Sequence, residues 1–499
     1  MSMRRQIGLL ALAQPATQAI GVVVSFVLAR QLFPRDYGMV AMATGFTGVL
    51  AMVSGLGVSD AALQRKELSQ SESSALFWVN ATAGLVFGLG AAMLGPVLGW
   101  YFHEPVVAYV AAWAGAAIFL NALGGQHRIQ LMRRGAYGSA VLVDVVTQFV
   151  AGGAAIGAAM AGLGWRSLVI LLVAQAIVRS IGMWLVARWV PDWFRWDSLP
   201  GDTVKLGLVV CLGWVLYSLS ATAESVVLGR VGGADGLGLY TKAMQIARYP
   251  VMIFFVPAFL PAVHRLGQRQ EDREAMGHEF LRMLSLVMLP MSLPLGLLAG
   301  SAREFIPLVM GNQWDPTVPL LLVILVGIFG VPVAQAVMWG LTASAQRRRM
   351  VQFQLVNAAV PVASVTCGAL LAGAWGTSVA FTIGMWAILV PVGVYLSVRF
   401  VGVNLGRLSS GVGAVGILVV ATALSTWFGG RAANIALGPG LLARVIGGVV
   451  CGSVVWFLAA RRVRRGSFRE LVETLASGAA LEQKPWTRRF VDWCAPAAS

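Results

Sequence analysis

Basic residues in this chain alternate with long apolar stretches, and that alternation constrains the fold more than any motif does. Every second gap between apolar stretches is rich in arginine and lysine. These gaps hold Arg4 and Arg5, Arg65 and Lys66, Arg128, Arg133 and Arg134, and Arg188, Arg195 and Lys205. They continue with a group from Arg265 to Arg282, with Arg347 to Arg349, with Arg399 and Arg407, and with a tail from Arg461 to Arg489. Together they hold 27 of the 37 basic residues, whereas the intervening gaps hold seven, Arg30 and Arg230 among them. Positive charge stays on the cytoplasmic side of a membrane, so the pattern predicts a chain that crosses the bilayer repeatedly with both termini in the cytoplasm.

Composition agrees. Of 499 residues, 58% are hydrophobic and 12% charged, and the mean hydropathy is +0.76, which makes lipid the solvent. A net charge of +16 would otherwise suggest nucleic acid. Its confinement to short loops beside apolar segments predicts contact with anionic inner-leaflet lipids and no nucleic acid. Four cysteines without close spacing, three of them in apolar runs, argue against a disulfide framework or a zinc site. Arg4-Arg5 and Ala11-Leu12-Ala13 imitate a secretory signal, but apolar sequence continues to about Leu32, which predicts an uncleaved first helix.

A helix needs about 20 apolar residues to cross the hydrocarbon core. Fourteen segments qualify, near 8–31, 38–61, 75–99, 106–125, 139–162, 167–189, 206–228, 239–262, 281–300, 317–340, 354–373, 376–397, 410–428 and 441–460. The expected fold is an all-α polytopic membrane protein of about 14 transmembrane helices, because lipid offers no partner for free backbone groups. No gap is long enough for a soluble domain. Ser467 and Glu470 ahead of Leu471 form a capping-box pattern, predicting an amphipathic helix on the inner leaflet.

The chain also resembles itself at an offset of 200. Val27-Leu28-Ala29-Arg30 falls on Val227-Leu228-Gly229-Arg230, Gly38 on Gly238, Ala43 on Ala243 and Arg65 on Arg265. We expect two six-helix lobes, 1–200 and 201–400, related by a pseudo-two-fold axis, then two added helices in 401–460 and a basic cytoplasmic tail, 461–499. Gly84-xxx-Gly88, Gly153-xxx-Gly157 and Gly448-xxx-Gly452 would allow helices to approach closely. Pro250, Pro257 and Pro261 in the eighth segment, and Pro290 and Pro294 in the ninth, predict kinks.

Enzyme signatures are missing from the sequence. None of the four lysines follows a glycine, so there is no P-loop. His103, His127, His264 and His278 all fall in gaps and make no metal spacing, so no cofactor, metal or catalytic set is expected. What remains are polar residues inside the spans. Asp144 and Gln148 lie at i, i+4, as do Gln175 and Arg179. Tyr217, Ser220 and Glu224 share a face, and Lys242, Gln245 and Tyr249 form a stripe with Arg248 beside it. Gln14, Gln18 and Ser25 form another on the first segment. A charge near the bilayer centre costs about 2.5–3.5 kcal/mol, so such residues pair or line water. A structural pair such as Asp144 with Arg179 is one account. A hydrated, basic vestibule between the two bundles is the other, and Lys242 and Arg248 could instead reach the outer interface by snorkelling.

The stretch Leu28-Ala29-Arg30-Gln31-Leu32-Phe33-Pro34-Arg35-Asp36-Tyr37-Gly38 resembles the signature of bacterial polysaccharide exporters. Ala62 to Lys66, Leu76 to Asn80, Glu224 to Tyr240 and Pro250 resemble the later landmarks, so the likeness covers roughly residues 5–400. It points to lipopolysaccharide and capsule flippases of the colanic-acid exporter type, within the multidrug/oligosaccharidyl-lipid/polysaccharide flippase superfamily. That resemblance implies two six-helix lobes around a cationic cavity, and a transporter rather than an enzyme. Its substrate would be an undecaprenyl-pyrophosphate-linked oligosaccharide, moved across the bacterial inner membrane for lipopolysaccharide or exopolysaccharide synthesis. Family members usually carry Asp where this chain has Glu224.

On this reading Arg30, Arg179, Arg230, Lys242 and Arg248, with Gln175 and Gln245, bind substrate during alternating access. Asp144 or Glu224 binds a proton or sodium ion, and a polysaccharide polymerase and export machinery are partners. The alternatives are a membrane-embedded polymerase or ligase, which usually carries a long periplasmic loop, and a cation-coupled drug antiporter of the same superfamily.

Overall fold

A computed structural model describes residues 3–55, 68–195, 197, 222–438 and 440–463. Among them there is no strand. Six helices come first: α1 (Met3–Gln31), α2 (Pro34–Ser54), α3 (Gln70–Phe102), α4 (Val106–Arg133), α5 (Tyr137–Met160) and α6 (Arg166–Ala187). A π-turn over Glu224–Leu228 leads into α7 (Gly229–Pro250) and the short α8 (Phe259–Gly267). Then follow α9 (Arg273–Met310), α10 (Thr317–Gln335), α11 (Val337–Ala343), α12 (Arg347–Gly384), α13 (Val390–Leu396), α14 (Leu405–Leu437) and α15 (Leu441–Val463). Eleven helical runs among the described residues are long and apolar enough to cross a membrane. The protein is therefore an all-α, multi-pass membrane protein. Most of the seventh expected segment (206–228), the division at residue 200, Tyr217, Ser220 and most of the tail lie outside the described residues.

Helix ends follow local chemistry. Pro34 sits in the first turn of α2, and the Asp36 carboxylate accepts the Phe33 N–H at 2.9 Å. Ser69 and Glu72 close a reciprocal capping box on α3, with the Ser69 N–H donating to Glu72 Oε2 at 2.8 Å. Interruptions fall where the sequence gives the backbone freedom or removes a donor. Gly233 breaks α7 at φ 66°, and α12 breaks at Ala372–Gly373, where the eleventh and twelfth expected segments meet. Pro250 precedes a π-turn over Val251–Phe255 and a gap before α8, whereas Pro290 and Pro294 lie inside the unbroken α9.

The contacts divide into two compact units. Unit 1 comprises Met1–Thr241, Val309–Gln313 and Val365–Thr377; unit 2 comprises Lys242–Leu308, Trp314–Ser364 and Ser378–Ser499. In unit 1, α3 and α4 are in closest register. A Cβ at Gly88 would sit 2.6 Å from the Gly115 carbonyl oxygen, and one at Gly95 would sit 2.8 Å from that of Ala108. In unit 2, α14 and α15 meet in the same way, a Cβ at Gly448 lying 2.7 Å from the Thr426 carbonyl oxygen. The Gly153-xxx-Gly157 spacing is different: a Cβ at either position meets nothing within 4 Å, so those glycines form no seam within the described residues.

A reciprocal contact reflects the internal repeat. A Cβ at Gly38 would collide with the Ala234 carbonyl oxygen, and one at Gly238 would collide with that of Pro34. Both pairs are related by the 200-residue offset, since 34 + 200 = 234 and 38 + 200 = 238. Two equivalent corners exchange the same contact, as a local two-fold relation requires.

These close approaches yield a paired test. Gly88→Ile should lower the thermal unfolding temperature of the purified protein and its yield as a single species, because overpacking against backbone costs at least about 1–3 kcal/mol. Gly153→Ile, introducing the same side chain into open space, should leave both unchanged.

Candidate functional site

Within unit 1 the antiparallel helices α5 and α6 set their two polar pairs side by side. Asp144 and Gln148 on α5 meet Arg179 and Gln175 on α6: Arg179 Nε lies 3.3 Å from Asp144 Oδ1, and Gln175 Nε2 donates to Gln148 Oε1 at 3.1 Å. The i, i+4 spacing on each helix thus becomes two successive rungs across the pair.

A third helix completes the cluster. Arg128 of α4 donates from Nη1 to Asp144 Oδ2 at 2.8 Å, so one carboxylate holds two guanidiniums. The Asp144 side chain is 17% exposed, against 38% for Arg128 and 41% for Arg179. The carboxylate is therefore mostly shielded, while both cations keep one face open. With two positive charges and one negative, the cluster carries net +1. It borders a recess of about 320 Å³ whose walls include Asn121, Gly124, Gly125 and Ser180.

Hydropathy ends the fourth segment near residue 125, which puts Arg128 among the loop arginines. The helix runs on to Arg133, which places Arg128 more than a turn inside it. His127, expected in a gap, is in fact buried in α4. Its ring stacks on Trp184 with centroids 4.1 Å apart and meets Phe77 edge-on at 5.8 Å. Nε2 faces the Trp189 carbonyl at 3.1 Å. Clamped on three sides, His127 fixes the rotation of α4 and so the direction in which Arg128 leaves it.

In unit 1, Arg230, Arg30 and Glu224 are not among the residues that line this recess. Arg230 is exposed, its guanidinium 5.9 Å from the Tyr101 ring at the end of α3. Arg128 stands 22 residues beyond the start of α4 at Val106, or about 33 Å along the axis from that end. Arg30 is exposed in the last turn of α1, where Gln313 Nε2 donates to its carbonyl at 3.3 Å. Glu224 is 8% exposed and opens the π-turn ahead of α7. In unit 2 Lys242 is 2% exposed, its ammonium 5.9 Å from the Trp314 ring centroid, within cation–π range. That burial rules out snorkelling for Lys242, while Gln245 and Arg248 on the same helix are exposed.

Comparison with known proteins supplies the family. The family described as "Polysaccharide biosynthesis protein" matches residues 27–319, more than half of the chain. The chain is 24% identical to the lipopolysaccharide biosynthesis protein WzxC of Escherichia coli (strain K12), over 72% of this chain and 74% of that protein. It is 24% identical to the teichuronic acid biosynthesis protein TuaB of Bacillus subtilis (strain 168), over 75% and 79%. It is 23% identical to the succinoglycan biosynthesis transport protein ExoT of Rhizobium meliloti (strain 1021), over 64% of each chain, just under two thirds of that relative. Among solved structures, the inward closed lipid II flippase MurJ matches with TM-score 0.72 at 11% identity, over 91% of this chain and 98% of that one. An inward-facing multidrug resistance MATE family transporter matches with TM-score 0.62 at 14% identity, over 81% and 99%. These two likenesses give the fold, and the family match gives the lineage: the chain belongs to the polysaccharide biosynthesis protein family.

Proposed function

We propose that this protein is a flippase that moves undecaprenyl-pyrophosphate-linked oligosaccharides across the bacterial inner membrane by alternating access. One observation carries the reading. Arg128 and Arg179, on different helices, converge on a single shielded carboxylate and present net positive charge to a recess inside an apolar bundle. Guanidinium groups match phosphate oxygens in geometry and charge. The names of the relatives, which speak of lipopolysaccharide biosynthesis and succinoglycan biosynthesis transport, agree with a sugar-bearing cargo.

In this mechanism Arg128 and Arg179 hold the pyrophosphate and Asp144 orients both, while Gln148 and Gln175 brace the adjacent rung. Asp144 is thereby a positioning group, and the coupling role passes to Glu224, a buried carboxylate at an irregular turn where protonation or sodium binding would bias the local backbone. Each charge crossing the membrane gains about 2.3 kcal/mol per 100 mV, enough to shift a two-state equilibrium. Exposed Arg30, Arg230, Arg248 and Gln245 would guide the anionic cargo, and the buried Lys242 would serve at a later stage of its passage. The termini lie in the cytoplasm, where the basic loops meet anionic lipid, and a polymerase and export machinery receive the product.

In cells lacking the chromosomal copy, Arg128→Gln, Arg179→Ala and Glu224→Gln should each abolish polymer export while membrane protein level stays at that of the wild type. Normal export by all three variants would overturn the reading. Asp144→Asn should cost about 1–3 kcal/mol in thermal unfolding. That is less than the loss of a partner in a fully buried pair, because water reaches both arginines and screens their repulsion.

A further inference from the structure

We propose that a second, uncharged recess in unit 1 is the subsite for the sugar next to the pyrophosphate. The inference rests on the flippase reading above and deepens it. The recess measures about 330 Å³ and shares Asn121 and Gly125 with the arginine recess. Its polar walls are Thr44, Thr47 and Ser54 of α2, Asn80 of α3 and Asn121 of α4, and among the described residues no charged side chain lines it.

The hydrogen-bonding state of these groups selects the ligand. Thr44 and Thr47 donate their hydroxyl hydrogens to the carbonyls of Val40 and Ala43, at 2.9 and 3.2 Å. Ser54 donates to the Ala51 carbonyl at 2.7 Å, and Asn121 Nδ2 donates to that of Ala117 at 2.9 Å. A hydroxyl has one hydrogen and two lone pairs, so each of these three hydroxyls retains acceptor capacity. Asn80, which is 3% exposed, has no partner for its buried Oδ1. A wall in which acceptors predominate, with the Asn80 and Asn121 amides adding N–H donors, suits a ligand rich in hydroxyl groups. Ala114, Ile118 and Leu172 supply an apolar side, which suits the C–H face of a sugar ring. A bare cation fits poorly, since hard cations favour carboxylate ligands and the adjoining recess is positive.

Two glycines mark the free space. A Cβ at Gly48 or Gly125 would meet nothing within 4 Å, although both residues line the recess. Larger side chains there fill the cavity without displacing the protein, which makes them suitable plugs.

The test uses full-length protein in nanodiscs and titration calorimetry with two kinds of probe: farnesyl pyrophosphate alone, and farnesyl pyrophosphate bearing one glucose, galactose or N-acetylglucosamine. At least one sugar should tighten binding about tenfold or more over the sugar-free probe, as expected where a site is built to hydrogen-bond hydroxyls. Gly48→Leu and Asn80→Ala should each remove that gain while leaving sugar-free binding within about twofold and the unfolding temperature unchanged. No gain from any of the three sugars, a gain that survives both variants, or Asn80-dependent tightening by sodium alone would overturn the inference. The arginine reading fails separately: the sugar-free probe would then not bind, while the sugar-dependent signal would still require Asn80.

Discussion

Lipid offers no partner to an ionised side chain, and that constraint decides which polar residues this bundle can carry. Asp144 lies seven residues inside the start of α5 and Arg179 eight residues before the end of α6, or about 10–12 Å from those helix ends. At that depth neither residue could stand alone at low cost. Shared between Arg128 and Arg179, the carboxylate offsets part of its own penalty and part of theirs. The sharing is asymmetric: the acid is shielded and the guanidiniums are not. A pair sealed on both sides would be a structural strut. A clamp with two open cationic faces keeps unused donors, since each guanidinium has five N–H groups and only a few are engaged.

Backbone proximity is the second organising element. In water, apolar burial drives helices together; in lipid, association relies on packing, which improves when small residues let backbones touch. Unit 1 shows this along α3 and α4, at Gly88 and Gly95, and again where Gly38 and Gly238 seat on the carbonyls of Ala234 and Pro34. The reciprocity at those corners ties an offset visible in the sequence to a physical contact. Had the two halves diverged freely, no steric reason would keep a glycine at both 38 and 238.

Much of the fold was legible because hydropathy and loop charge are strong, additive signals. The expected bounds of α5 and α6 fall within two residues of the observed ones, and the expected junction near 373–376 meets the break at Ala372–Gly373. The site was legible only in part. Spacing found Asp144 with Gln148 and Gln175 with Arg179, since i, i+4 is a property of one helix. It could not find Arg128, because hydropathy marks where apolar residues stop and not where the helix stops. Its partner also lies on another helix, 16 residues along the chain. The same limitation misplaced His127. For the Lys242 stripe, helical spacing gives positions along one helix and not their burial: Lys242 is buried while Gln245 is exposed.

The neutral recess was invisible to sequence reasoning, since Thr44, Thr47, Ser54 and Asn80 are ordinary residues in helices and carry no motif. Its place beside the arginines suggests how affinity and discrimination divide. Every oligosaccharide carried on a polyprenyl pyrophosphate presents the same two phosphates, so a guanidinium pair would bind all of them alike and distinguish none. Discrimination requires groups whose satisfaction depends on where hydroxyls lie, and it is sharpest when a mismatched ligand leaves buried polar atoms unpaired. Acceptors whose own hydrogens are already committed to helix carbonyls meet that requirement, because they cannot rotate to donate to a wrongly placed oxygen. On the proposed function, charge would supply the grip common to all substrates, and the uncharged wall would supply the choice among them.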